Sequence, residues 1–233
     1  MTKAVVMFSG GLDSTTALFW AKNKFNKVYA VNFFYSQRHS IENDMAKKIC
    51  DNLGIELTFI EIPLKGILKS SLIDEDGYIP GDLKTSKDKT NTPFTYVPFR
   101  NGIFLSIITG FAESRDIYDI VTGFNLIDTP DYPDTTLEFT KKMEDVVNEG
   151  TAAKNKGKRF KIHTPLINLS KRRIIELGFE LDADYSYSVS CYRGSEVPCD
   201  NCPSCDIRNM AFKELGMVDP LKVRLRKEGK YGL

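Results

Sequence analysis

The chain has 233 residues, 42% of them hydrophobic, and its 32 basic residues nearly cancel its 31 acidic ones. That is enough apolar material for one substantial core with at most a small appendage, and the near-neutral balance lacks the global excess of a dedicated polyanion binder. A small anionic ligand stays open and a long nucleic acid is disfavoured. No basic-then-apolar leader precedes Ala4 and no apolar run approaches the roughly 18 to 20 residues of a membrane span, so a cytoplasmic, membrane-free protein is expected.

In chain order, the first half alternates short β-rich runs with amphipathic stretches. Strands are predicted at 4–8, 28–34 and 56–60, and helices at 14–24 and 41–53. Such alternation signals a parallel sheet wrapped by helices. Cys50 falls on the apolar stripe Ile41, Met45, Ile49, Leu53 of the second helix and reads as a buried core thiol. Residues 74–95 are polar, broken by Gly and Pro, and show neither period; they read as a long loop. Order returns with a helix at 101–114, a strand at 119–124, a helix at 135–150 and a strand at 160–162. Ser170 is the predicted N-cap of a further helix running to about residue 177. The cysteine-rich end is the other break in composition. The expected division is an α/β domain over 1–185 with a metal-binding tail over 186–233 packed on it.

The joint between the first strand and first helix reads Phe8-Ser9-Gly10-Gly11-Leu12-Asp13-Ser14-Thr15. Glycines there let backbone N–H groups face an anion without Cβ obstruction, and the helix start adds partial positive charge. Ser9, Gly10, Gly11, Ser14 and Thr15 together suit a phosphate. Neither a G-x-x-x-x-G-K-[ST] loop nor a G-x-G-x-x-G fingerprint is present, so this is neither a Walker loop nor a dinucleotide turn.

Four of the five cysteines, Cys191, Cys199, Cys202 and Cys205, form C-x7-C-x2-C-x2-C. Four thiolates complete the tetrahedron of Zn²⁺ and leave no position for a catalytic water. Structural zinc is the first reading, and an iron–sulfur cluster would accept the same ligands.

The loop Ser9-Gly10-Gly11-Leu12-Asp13-Ser14 resembles the pyrophosphate (PP) loop of the ATP pyrophosphatase superfamily, whose members split ATP into AMP and pyrophosphate while adenylating a substrate oxygen. That resemblance implies a Rossmann-like α/β sheet with residues 8–15 around the β and γ phosphates, Ser14 in the catalytic set, and Asp13 serving Mg²⁺ or the loop geometry rather than acting as a base. Together with "QRHS" at 37–40, "VPFRN" at 97–101, "HTPLINLSK" at 163–171 and "SCYRG...PCDNCPSCDIR" at 190–208, it is similar in order and spacing to the 7-cyano-7-deazaguanine synthases over nearly the whole chain. The resemblance implies conversion of 7-carboxy-7-deazaguanine to the nitrile by ATP and ammonia through an amide, on a route to queuosine, and suggests a homodimer. It further implies that Lys171 neutralises phosphate, while Arg100 and Asn101, at a helix start after two prolines, place a cation and an amide where a phosphate or purine edge could be gripped. Gln37, Arg38, His39, Asn101, Asp128, Tyr132 and Asp134 become the candidates for substrate contact.

The pattern also departs from that family. V-P-G-R-N becomes V-P-F-R-N with Phe99, and D-[YF]-S-G-Y-P-D-C-R keeps Asp128, Tyr132, Pro133 and Asp134 but carries Pro130-Asp131 and Thr135-Thr136 where Ser-Gly and Cys-Arg are usual. An alternative function follows: a paralogue that adenylates a deazaguanine carboxylate and joins it to another amine, such as a protein or peptide, stopping at the amide. A tRNA-thiolation enzyme of the same superfamily would need a catalytic cysteine, and the five here are taken by metal and core. A zinc-stabilised nucleotide-binding module without turnover is disfavoured by the intact loop and Lys171.

Overall fold

The structure, a computed structural model, describes residues 1–35, 40–64, 66–70, 73, 92–93, 95–125 and 132–232, Ser40 by its backbone alone. Gln37, Arg38, His39, Asp128, Pro130, Asp131 and nearly all of the predicted 74–95 loop lie outside these residues.

Five strands, β1 (Lys3–Met7), β2 (Lys27–Phe34), β3 (Glu56–Glu61), β4 (Asp119–Val121) and β5 (Lys161–His163), form one sheet in the order β3-β2-β1-β4-β5. Every pairing is parallel. The crossovers are helices α1 (Leu12–Lys24), α2 (Ser40–Leu53), α3 (Arg100–Glu113) and α4 (Leu137–Gly150), followed by α5 (Lys171–Glu180), α6 (Pro203–Glu214) and α7 (Pro220–Lys227). Side chains alternate across the central strand. Ala4, Val6 and Phe8 join a core with Leu18, Ile49, Ile174, Tyr185 and Phe212, while Val5 joins the opposite core with Val31, Phe104, Ile108, Ile120 and Met143. Both faces are covered, as a parallel sheet requires. Cys50 is fully buried, and burial, with Asp51 adding, pushes its thiol up to about 12.

The predicted elements recur within two or three residues at most ends. Ser170 caps α5, accepting from Arg173 N at 3.3 Å. The exceptions are α6 and α7, which sequence periodicity did not indicate. Helix α6 buries Cys205, Arg208, Ala211 and Phe212, the last two against the core that α1 and α5 share. Asp219 caps α7 by accepting from Leu221 N and also pairs with Arg208. This ion pair is almost fully buried, with the guanidinium also donating to Ser188 O and Oγ at 2.8 and 3.0 Å. A buried charge is tolerated only with partners of this kind.

At the β5 edge, helix α4 takes the place of a sixth strand. Glu144 Oε2 accepts from Ile162 N at 2.8 Å, and the Asn148 side chain accepts from Phe160 N and donates to Phe160 O at 2.8 and 3.0 Å. Among the described residues no helix is long and apolar enough to cross a membrane.

Candidate active site

Strand β1 has β2 on one side and β4 on the other, and the chain leaves them in opposite directions. In open α/β sheets the crevice beyond such a switch point is where ligands bind. Here a cavity of about 380 Å³ opens there, lined by the β1–α1 joint, the end of β2, Arg100, Gly123, Lys171 and Tyr192.

The joint is shaped by its glycines. Gly10 has φ +83°, and a Cβ there would press on Ala46 Cβ at 3.0 Å and Glu42 O at 3.2 Å. Gly123, after β4, lies so close to α1 that its Cβ would meet Ser14 N at 3.0 Å. Gly11 is the N-cap of α1 and supplies no side-chain cap, so the first-turn amides take nothing from it. Ser14 Oγ instead folds inward, donating to Gly11 O at 3.0 Å and meeting Ser9 Oγ at 3.1 Å; Thr15 Oγ1 donates to Gly11 O at 2.9 Å. The hydroxyls therefore brace the turn, and Ser9 Oγ also accepts from Gly11 N at 3.3 Å; the first-turn amides of α1, whose residues Leu12, Asp13 and Ser14 line the cavity, have no intrahelical acceptor, an arrangement suited to an anion.

Lys171, in the first turn of α5, reaches across to Asp13: its Nζ lies 2.7 Å from both carboxylate oxygens. The sequence reading assigns one to phosphate and the other to Mg²⁺ or loop geometry. The fold brings the two together as a pair beside the loop. A carboxylate and an ammonium beside such a loop can hold a cation and an anion respectively when both are present.

Arg100 opens α3 on the opposite wall. Its Nη1 donates to Tyr35 Oη at 3.0 Å, its guanidinium lies 5.8 Å from the Phe104 ring centre, and its Nε has no partner. Asn101 is committed elsewhere: its N donates to Asp134 Oδ2 at 3.0 Å and its Nδ2 to Asp134 O at 3.3 Å. Asn101 and Asp134 thus hold each other and cap α3, whose N-cap residue Phe99 offers no side-chain bond. Tyr132 bonds Thr95 Oγ1 at 2.5 Å and sits edge-on to Tyr96; burial pushes its hydroxyl above the usual range. Phe99 has φ +53°, a backbone region that favours glycine, and its exposed ring lies over Gly102 and edge-on to Phe139.

The Sγ atoms of Cys191, Cys199, Cys202 and Cys205 all lie within 4.8 Å of one another. Zn–S bonds of about 2.3 Å place tetrahedral sulfurs about 3.8 Å apart, so a single ion fits with small adjustments. A four-iron cluster separates its ligands by its own width and does not. Cys191, Cys202 and Cys205 are buried, and Asn201 N points at Cys199 Sγ at 3.4 Å. The donor set is closed, all sulfur, and able to hold zinc.

Two cavity residues escaped the sequence reading. Glu42, in the first turn of α2, is pushed up to about 7 by burial, with the Cys191 thiolate adding and Arg100 opposing. Asn32, in β2, is 2% exposed; its Nδ2 donates to Phe8 O at 3.0 Å and its Oδ1 has no partner. Asn is depleted in strands, so one inside the run "KVYAVNFF" was a signal available from the letters.

A model of the family described as "Queuosine biosynthesis protein QueC" matches residues 3–216. The chain is 41% identical over 220 residues to the 7-cyano-7-deazaguanine synthase of Trichodesmium erythraeum (strain IMS101), covering 94% of this chain and 99% of that one. It is also 41% identical over 220 residues to the synthase of Thermoplasma volcanium, covering 94% and 90%. Among solved structures, a 4-thiouridine synthetase in an RNA complex with bound ATP superposes with a TM-score of 0.51 at 19% identity, over 92% of this chain and 50% of that one, a likeness of fold alone. A matching model over most of the length and relatives matched nearly end to end place the chain in the queuosine biosynthesis QueC family.

Proposed function

We propose that this chain is an ATP-dependent carbon–nitrogen ligase that converts 7-carboxy-7-deazaguanine and ammonia to 7-cyano-7-deazaguanine, using Mg²⁺ with the nucleotide. The carrying observation is the end-to-end identity to synthases of that name, combined with a glycine joint that lines the same cavity as Lys171 and Arg100.

The reaction needs two activations. The substrate carboxylate attacks the α-phosphorus of ATP and pyrophosphate leaves; ammonia then attacks the acyl carbon, AMP leaves, and the amide forms. The amide oxygen attacks a second ATP, pyrophosphate leaves and the nitrogen releases one of its two protons; loss of AMP with the second N–H proton gives the nitrile. The chain's part is electrostatic and positional. The amides at the start of α1 bind the outer phosphates and Lys171 offsets their charge; Asp13 would hold the Mg²⁺ that accompanies the nucleotide and neutralises its charge. Arg100, clamped by Tyr35, holds its charge still at the far wall. The cysteine site supplies rigidity, tying the segment that carries Tyr192 to α6.

Mass spectrometry after incubation with ATP, Mg²⁺, the acid and ammonium tests the reading. Nitrile with pyrophosphate is expected. Accumulating amide, or a mass adduct on a protein amine, favours the paralogue that stops at the amide, for which Phe99 at a glycine-favouring φ beside α3 is the observation. No pyrophosphate release would overturn both.

A further inference from the structure

We propose that Asn32 is a specificity-determining residue whose Oδ1 accepts a hydrogen bond from the exocyclic amino group of a flat, purine-type ring bound in the cavity. The inference rests on the proposed function for the identity of the rings, which are the adenine of ATP and the deazaguanine of the acid.

Side chains alternate along β2, so Asn32 shares the face of Val28 and Ala30, both buried in the apolar core. Phe33 points to the other face with Val31. The alternation breaks its apolar pattern only at Asn32, at the C-terminal end of the strand, where the cavity begins. Orientation of the carboxamide is settled by its neighbour: Phe8 O is an acceptor only, so the group bonded to it must be the NH₂. The oxygen is left buried and without a partner beside a ligand-sized cavity. Buried polar atoms in native proteins are satisfied almost without exception, and an orphan at a binding wall points to a donor brought by the ligand. The ionic donor shown at the cavity, Lys171, is served elsewhere, by Asp13. A neutral amide oxygen suits a neutral, directional N–H, and it rejects a ring carbonyl at the same place. The neighbouring wall is aromatic, with Phe33 and Phe104 stacked at 4.3 Å, and favours a flat ring.

The test compares ligands that differ by one amino group. Dissociation constants are measured for ATP and purine riboside 5′-triphosphate, and for the acid and its 2-desamino analogue, on the wild type, Asn32→Leu and Asn32→Ser. Serine keeps a small hydroxyl able to donate to Phe8 O, should leucine fail to fold. The wild type is expected to prefer one amino-bearing ligand over its partner by about tenfold or more, and the variants to erase that preference while binding the desamino ligand as before. A lost preference for ATP identifies the nucleotide base as donor; a lost preference for the acid identifies the substrate. Variants that keep both preferences, or weaken all four ligands alike through a damaged wall, overturn the assignment. Failure of the wild type to bind ATP would overturn the ATP-dependent reading instead, and the acid pair would still decide the role of Asn32.

Discussion

The β1–α1 joint and the cysteine site are both short and both marked by one residue type, and the joint lines the cavity that Ser190, Tyr192 and Ser204, neighbours of the cysteines, also line, but the two are built from opposite materials. At the joint the groups left for a ligand are the first-turn backbone amides of α1, and the side chains of Ser9, Ser14 and Thr15 are turned back onto the turn itself. At residues 191–205 the converging groups are side chains, four thiols drawn together by the fold. A site made of backbone fails when the path of the chain changes; a site made of side chains fails when a single atom is removed.

The largest expected effect is at the cysteines. Structural zinc contributes about 10–16 kcal/mol in zinc-folded peptides, comparable with the whole stability of a domain, about 5–15 kcal/mol. Elemental analysis is expected to find one zinc per chain, and Cys205→Ser or chelation to lose the metal and unfold the tail, seen as a lower melting temperature and early proteolysis near α6. Iron and sulfide in place of zinc would break the assignment. Gly10→Ala comes next, since it combines a left-handed backbone cost of about 1–2 kcal/mol with overpacking against Ala46 of about 1–3 kcal/mol. Both melting temperature and pyrophosphate release are expected to fall.

Ser14→Ala sharpens the contrast because it leaves the backbone path in place. If the Ser14 hydroxyl swings from Gly11 O to a phosphate oxygen once nucleotide binds, its loss removes a transition-state contact worth about 2.7–4 kcal/mol, on the order of 100- to 1000-fold in rate. Turnover is expected to fall by that factor with only a small change in melting. A wild-type rate would reduce Ser14 to a brace. A gentler effect belongs to Glu42. Between its ordinary 4.5 and about 7 the folded protein keeps a proton that the unfolded chain has released, so ligand-free stability falls as pH rises through that window, by at most about 1.4 kcal/mol per pH unit, and is level above it. Denaturant titrations of Glu42→Gln are expected to lack that slope. Phe99→Gly should move stability least. Relief of about 1–2 kcal/mol from the left-handed backbone is offset by lost chain entropy, about 0.5–1 kcal/mol, and by lost contact with Phe139. Its readout is the ratio of nitrile to amide, which rises if the ring obstructs the second activation.

These contrasts also separate what the letters disclose from what they conceal. The glycine joint and the Ser170 cap were legible because their signals are local, a few residues in a fixed order. The four cysteines were legible because their spacing is itself the ligand geometry. Helix α6 was hidden because Phe212 is the one large apolar residue on an inward face otherwise built from Cys205, Arg208 and Ala211, and the burial of Arg208 depends on Asp219 eleven positions later. Helix α7 offered one cue, Asp219-Pro220 as cap and first residue, too short a run to show a period. The pairing of Lys171 with Asp13 and of Asn101 with Asp134 is set by the fold, across 158 and 33 residues. No local pattern carries such a distance.

The contacts that α4 makes along β5 bear on how the molecule behaves in a crowded solution. An open strand edge is a template: its unpaired amides invite another chain to add itself and then another. Here Glu144 and Asn148 occupy the outward-facing groups of Ile162 and Phe160 with side chains that no incoming strand can extend. They belong to α4 and β5, far in sequence from the cysteines, so stripping the metal leaves this guard in place. Metal-depleted protein is therefore expected to aggregate through exposed apolar surface near α6 rather than by fibrous growth from β5.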